Sequence, residues 1–451
     1  MRTVPPALLS ALLALVALAG LLLTAIVAPE TAITLLPAAI AVMIAMLFYE
    51  APLLAVGLLV ACYGLALDIQ LGLLDSGGGA MGAAAVKVIP FAIAAMLCLR
   101  YGFAPTINWP FLAFAIIAGI SLVVLPMGRV SSNGEMLRSF IGSTAPFVLA
   151  FAAAPRSVWS ALCKAIVLVP LISAAFAFLV WPTGLYSPFD NNWRFQGLHS
   201  PPFLAGFCTT AIFAATLEYL RGFKTRWLLL GGAALAVLLA TQARAPLIAV
   251  AVFLALVFAL SDRRIFPAKR KLDLVAAGAL PAVFLLGPLI LAVVDRFLGA
   301  PAYEQFSGRD IIWPYFVEAI EKRPLFGYGL GAGKLIVDPE DPQIRLIRSN
   351  AAHNEYLRLS VDAGMIGCAL IFGAIIAWVW AGTRRVGSAD RLVLRSALLA
   401  ALIHSAFDNT LIASTAVIQF AWFAAAIGRA RQEARPPDLL REKLARRLAE
   451  A

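Results

Sequence analysis

His353 heads the run His353-Asn354-Glu355-Tyr356-Leu357-Arg358-Leu359-Ser360-Val361-Asp362-Ala363-Gly364-Met365-Ile366-Gly367, which continues into an apolar stretch through Cys368 to Ile376. An imidazole exchanges a proton near neutral pH, so a histidine where a helix meets water can act as a base or orient a hydroxyl. It can equally be a helix-end residue without chemistry. Three arginines have the complementary chemistry. Arg244 lies in the hairpin Thr241-Gln242-Ala243-Arg244-Ala245-Pro246 between two apolar runs, so short that its guanidinium sits at membrane level. A charge there costs a few kcal/mol, roughly 2.5–3.5, unless it snorkels or meets a partner. The guanidinium fork grips phosphate or carboxylate oxygens in two places. Arg194 and Arg309 flank spans from other parts of the chain. Each of the three has the plain alternative of a snorkelling or loop arginine. Several arginines meeting one histidine at a membrane-level cavity suit a pyrophosphate anion.

Other charged residues have weaker cases. Arg358 and Asp362 are spaced to neutralise each other within one helix. Asp68 and Lys87 are intramembrane charges that can pair across adjacent helices. His404 and Asp408 lie one turn apart, either supporting the cavity or capping a helix. Asp338, Glu340 and Asp341 form either a divalent-cation site or a solvated turn.

These residues need a scaffold, and the composition says which kind. The chain is 62% hydrophobic and 14% charged, with a mean hydropathy of +0.88. That is an all-α polytopic integral membrane protein. Apolar runs of spanning length fall near 7–29, 31–49, 52–72, 81–99, 107–126, 136–154, 158–181, 202–220, 227–242, 245–260, 274–294, 355–381, 392–407 and 410–427. This predicts about 12–14 transmembrane helices. The organisation is N-terminal helices over 1–181, a second helical region over 182–428, and a basic tail over 429–451. The tail can lie on anionic lipid as an amphipathic helix or be simply solvated. Lys and Arg concentrate on one side of the alternating topology, which puts both termini in the cytoplasm. The net charge of +11 therefore reports topology, and nucleic-acid binding is not expected. Nothing calls for a cleavable signal peptide. The five cysteines fall inside spans without a C-x-x-C spacing, so buried free thiols are expected.

Two outward loops stand out. Residues 182–201 are aromatic, with Tyr186, Phe189, Trp193 and Phe195. Residues 295–354 form the large outward loop, in which 310–322 reads as a short amphipathic helix with Ile312, Phe316, Ala319 and Ile320 on one face. The closely spaced glycines of Pro324-Leu325-Phe326-Gly327-Tyr328-Gly329-Leu330-Gly331 then let backbone approach a ligand or another helix. Within 355–381, Ser360, Gly364 and Gly367 form a small-residue stripe for helix packing, with His353 on the same side, pointing into the bundle.

Taken together, the motifs resemble the bacterial O-antigen ligase and O-antigen polymerase family of membrane glycan transferases. His353-Asn354, nine residues, Gly364, two residues and Gly367 match its His-Asn signature without a gap. Trp193-Arg194-Phe195-Gln196-Gly197 is similar to its Arg-x-x-Gly segment. Thr241-Gln242-Ala243-Arg244-Ala245 is similar to its Ser-Arg-Gly turn, with alanines on either side of the arginine. Ser307-Gly308-Arg309, Trp313 and Pro324-Leu325-Phe326-Gly327-Tyr328-Gly329 resemble its Gly-Arg…Trp…Pro-Leu-Phe-Gly-x-Gly loop.

The resemblance implies glycan transfer at the periplasmic face of a bacterial inner membrane. The donor would be a glycan on undecaprenyl pyrophosphate and the acceptor lipid A–core or another glycan, with no cofactor and no metal. His353, Arg244 and Arg309 are then the expected catalytic residues. Arg194, Asn354, Gly327, Gly329, Trp313 and Asp408 are the expected substrate-binding ones. Ligase and polymerase stand side by side, and a multi-helix transporter or flippase is the alternative from a different class.

Overall fold

The computed structural model describes residues 49–72, 78–123, 130–184, 186–273, 308–338, 340–342 and 350–434, with the isolated positions 287, 291, 294 and 344. The expected spans at 7–29, nearly all of 31–49 and most of 274–294 lie outside these residues. So do loop residues 295–307 and the tail beyond 434. In chain order the helices are α1 (Pro52–Gly64), α2 (Leu67–Gly72), α3 (Gly78–Tyr101), α4 (Trp109–Val123), α5 (Asn133–Thr144), α6 (Arg156–Ala165) and α7 (Val169–Val180). There follow α8 (Pro201–Gly222), α9 (Thr225–Thr241), α10 (Arg244–Leu260), α11 (Arg309–Lys322), α12 (Glu355–Gly382), α13 (Ser388–Ser405) and α14 (Ser414–Ala434). Among the described residues there is no strand, only the isolated bridges Phe103–Ala152 and Phe189–Phe195.

The molecule is an all-α membrane protein. The continuous segment Arg156–Thr183, α8 and α12 are each long and apolar enough to cross a bilayer, and α1, α4, α9 and α10 are shorter apolar helices. Leu99, Val123, Leu179 and Leu229 are each more than two-thirds exposed. Such side chains suit a lipid-facing surface, where the helices satisfy their own backbone polar groups. At the centre, α8 is buried on nearly every face, and Trp422 and Phe423 of α14 are wholly buried. A helix apolar all round belongs in the interior.

Several expected spans are broken among the described residues. The run 52–72 divides into α1 and α2 at Ala66, whose φ is +53°. The run 136–154 is not one helix, because α5 gives way to a 3-10 turn over Ala145–Phe151 with Pro146 in its first turn. Proline has no N–H to give and holds φ near −65°, so it starts a new turn more readily than it extends a helix. The five cysteines are free and buried.

The long loop folds onto the bundle. Ile312, Phe316 and Ala319 of α11 build a small second core with Ala332, Val337, Ile344 and Ala352, and with Val361 of α12. The amphipathic face expected from sequence is the face that packs.

Gly364 makes this docking possible. It interrupts α12 with φ +68° and ψ 177°, and the glycine-rich loop enters the break. The Tyr328 N–H donates to the Val361 carbonyl at 2.9 Å, Gly329 N–H to Asp362 O at 2.9 Å, and Met365 N–H to Pro324 O at 2.7 Å. A Cβ on Gly364 would lie 2.0 Å from the Leu325 carbonyl oxygen, and one on Gly327 would lie 2.4 Å from Val361 O. The expected stripe is therefore mainly a loop-docking surface. At Gly367 it does admit a neighbour, with Ile117 of α4 3.4 Å from the Cβ position. Gly364→Ala is expected to cost about 1–3 kcal/mol in backbone strain alone and to displace the loop. Limited proteolysis should then cut within 324–333, where the wild type resists.

A buried ion cluster locks the same junction. The Arg358 guanidinium binds Glu355 and, at 2.8 Å, Asp362. The second Asp362 oxygen accepts from Gly333 N–H at 2.7 Å. The expected Arg358–Asp362 pair is present, and Glu355 completes it. Asp68 accepts a hydrogen bond from Ser414, while the Lys87 side chain lies outside the described residues. The bundle has a basic end, where Arg156 and Arg221 reach Glu433, Arg429 reaches Glu218, and Arg431 reaches the last carbonyls of α12. His353 stands at the other end of α12.

Candidate active site

His353 sits in a turn immediately before α12 with a φ of +45°, a conformation that L side chains avoid and that persists only where neighbours enforce it. Both neighbours are pinned. On one side Asn354 caps α12, its Oδ1 accepting from Tyr356 N–H at 3.0 Å and Leu357 N–H at 3.2 Å. These are two of the donors that a helix start leaves unpaired. On the other, Trp313 Nε1–H of α11 donates to the Ala352 carbonyl at 2.9 Å. Asn354 and Trp313, both expected at the substrate, lie on either side of the histidine, one capping the helix and the other bonded to the preceding carbonyl.

The imidazole faces a carboxylate. His353 Nδ1 is 3.6 Å from Asp408 Oδ1, and His404 Nε2 from the end of α13 is 3.8 Å from Asp408 Oδ2. His404 is buried, whereas the His353 side chain is 38% exposed. So the outer imidazole can meet a ligand while the inner one packs behind the carboxylate. Burial alone would raise the Asp408 carboxyl. The His353 and His404 imidazoles facing it outweigh that and hold the group below the ordinary aspartate range. A depressed folded value means that Asp408 adds stability above its unfolded value, near 3.9, and that this is lost as pH falls through the folded one. Asp408→Asn is expected to flatten the acid limb of a melting-temperature profile below about pH 4.

Arg309, the first residue of α11, reaches the same turn, its Nη2 donating to Phe407 O at 2.8 Å. Burial draws its guanidinium down from the usual arginine value, with the Asp408 charge opposing that shift and the Arg244 charge adding to it. Arg309 therefore lies within electrostatic reach of both. Arg244 opens α10, which packs on α13, at the end of the bundle where α13 turns into Asp408. Arg309, a part-exposed imidazole and the carboxylate beside it come together at one end of the bundle, with Arg244 within electrostatic reach of Arg309. An arrangement of this kind can hold a doubly charged leaving group and take a proton from a hydroxyl beside it.

Residues 228–372 match the family model for O-antigen ligases. Over that region the chain is similar to the O-antigen ligases. Within it fall Arg244, Arg309, Trp313, the glycine loop, His353, Gly364 and Gly367. The chain is also 27% identical over 227 residues to the exopolysaccharide production protein ExoQ of Rhizobium meliloti (strain 1021). That alignment covers 47% of this chain and 52% of the relative, so the chain spans about half the length of the curated relative it matches.

Asp408 and His404 lie beyond the O-antigen ligase region, and the fold carries them to it. Arg194 also lies outside, and its guanidinium is bound by Asp190, with Nε 2.7 Å from Oδ2. Burial would raise the Asp190 carboxyl, but the Arg194 hydrogen bonds and charge lower it. The next residue, Phe195, donates its N–H to Ala240 O at 2.9 Å. The Phe195 backbone thus ties the aromatic loop to the end of α9, just before the turn that carries Arg244. Asp190 was readable as its partner from the i, i+4 spacing. Gly327 and Gly329 are occupied by the α12 break, and no hydrogen bond or ion pair joins either to His353. In the acidic turn, Asp338 Oδ1 accepts from Glu340 N–H at 2.9 Å and Asp341 takes the Tyr315 hydroxyl at 2.7 Å. Among the described residues no group of three His, Cys, Asp or Glu side chains is placed to hold a metal.

Proposed function

We propose that this protein transfers a glycan from undecaprenyl pyrophosphate to an acceptor hydroxyl at the periplasmic face of a bacterial inner membrane. The observation that carries the reading is the grouping of Arg309 with the Asp408-backed His353 at one end of the bundle, with Arg244 within electrostatic reach of Arg309. His353 takes the proton as the acceptor oxygen attacks the anomeric carbon. The bond from that carbon to the pyrophosphate oxygen breaks, and the leaving undecaprenyl pyrophosphate carries the electron pair. Arg309 and Arg244 stabilise the charge that gathers there. Asp408, backed by His404, keeps His353 oriented and stabilises the imidazolium. The loop built on α11 and the glycine-rich segment covers the site and limits water, the competing acceptor. No cofactor is required by this scheme.

The preferred acceptor is lipid A–core, which makes the protein a ligase. The relative's name, an exopolysaccharide production protein, favours a second reading in which the acceptor is another lipid-linked repeat unit, so that the protein is a polymerase. Deletion of the gene separates them. Full-length chains stranded on undecaprenyl pyrophosphate indicate a ligase, and single repeat units indicate a polymerase. Arg309→Ala and Arg244→Ala are each expected to lower transfer by about 10²–10³-fold with normal membrane insertion, read by glycan laddering in a complemented deletion strain. Wild-type ladders from both variants would sink the pyrophosphate assignment.

A further inference from the structure

At the end of the bundle away from His353, a cavity of about 400 Å³ opens between α6, α8, α9 and α14. Six cationic side chains line it against two carboxylates, Glu218 and Glu433. Both carboxylates are already engaged. Glu433 holds Arg156 at 2.9 Å and also Arg221, and Glu218 holds Arg429. Arg221 has a further partner in Asp390 at 3.1 Å. Lys164, Lys224 and Arg226 pair with no carboxylate among the described residues, and Arg226 lies over the Trp227 ring at 4.9 Å.

The innermost group sets the chemistry. The Arg429 side chain is 3% exposed and uses Nη1 on Glu218, while its Nε and Nη2 have no hydrogen-bond partner among the described residues. Each buried unsatisfied donor costs roughly 1–3 kcal/mol, more when charged, so donors in this position call for an acceptor. The surplus of positive charge requires an anion, and the guanidinium fork matches the tetrahedral oxygens of a phosphate. We infer that this cavity binds a phosphoryl oxyanion, with Arg429 at its floor and Lys164, Lys224 and Arg226 at its mouth. The mouth includes the exposed connection between α8 and α9, at one end of two apolar helices, where a lipid headgroup and a dissolved phosphate can both arrive. The site is separate from the glycan-transfer site, because α8, α9 and α14 each run between the two ends of the bundle.

The test uses the full-length protein in detergent, with thermal unfolding followed against phosphatidylglycerol, phosphatidylcholine and inorganic phosphate. Phosphatidylglycerol or inorganic phosphate is expected to stabilise the protein saturably, and phosphatidylcholine is not. The double variant Lys164→Gln/Arg226→Gln disturbs none of the ion pairs and is expected to weaken that binding about tenfold or more. Glu218→Gln/Arg429→Gln removes the floor without stranding a buried carboxylate and is expected to abolish it. Stabilisation by phosphatidylglycerol alone identifies the oxyanion as a lipid headgroup, and equal stabilisation by inorganic phosphate identifies a free phosphate. If neither acts beyond phosphatidylcholine, or if the rim variant binds like wild type, the proposal fails.

Discussion

His353→Ala is expected to lower glycan transfer by about 10²–10⁴-fold, the usual worth of a positioned general base, while the protein still inserts in the membrane. The side chain is 38% exposed and faces Asp408 at 3.6 Å, so its removal opens no large cavity in the core. Asp408→Asn supplies the contrast. It keeps the shape but removes the charge that orients one imidazole tautomer and stabilises the protonated ring. Transfer should fall substantially, with the larger change in kcat rather than in KM, because the lost stabilisation belongs to the transition state. Purified enzyme with a lipid-linked donor measures both. A fully active His353→Ala would remove the imidazole from the mechanism, and a fully active Asp408→Asn would reduce the carboxylate to a helix-end residue.

Arg358→Met is expected to be the most damaging substitution for stability. Its side chain is 3% exposed and holds two carboxylates that are wholly buried, Glu355 and Asp362. Methionine leaves both without their counter-ion, and breaking a buried ionic cluster from one side costs about 3–5 kcal/mol. The damage should spread to the site, since Asp362 also holds the Gly333 N–H and Glu355 begins the helix that Asn354 caps. The expected result is low yield and early unfolding in detergent. The triple variant Glu355→Gln/Arg358→Met/Asp362→Asn should recover part of the stability, because it leaves no charge unpaired. If Arg358→Met alone melts like wild type, the cluster does not hold the junction.

The features that the sequence determined by itself are those written in short-range spacing. Apolar runs separated by brief polar turns specify helices in a membrane, since only closed hydrogen-bonding structures are viable there. The i, i+4 relation predicted the Arg358–Asp362 pair, and the 3.6-residue period predicted the packed face of α11. The spacing from His353 through Gly364 to Gly367 marked the family region before any fold was in view. Spacing did not disclose which contacts those residues make. Gly364 reads as a packing glycine, but its positive φ breaks the helix and receives a loop. Asn354 and Trp313 read as ligand contacts, and spacing did not show that one also caps α12 and the other also bonds the Ala352 carbonyl.

Three histidines are equivalent in composition, and only the tertiary structure sorts them. His199 is buried against the Tyr63 carbonyl at 2.8 Å, whereas His353 and His404 meet across Asp408. That meeting depends on α12 and α13 lying side by side and on the turn that follows α13. Helix periodicity relates residues three or four apart and carries no information about which separate helices become neighbours. Neighbours are chosen by the summed fit of many buried side chains, so the carboxylate behind His353 became visible only in the folded chain.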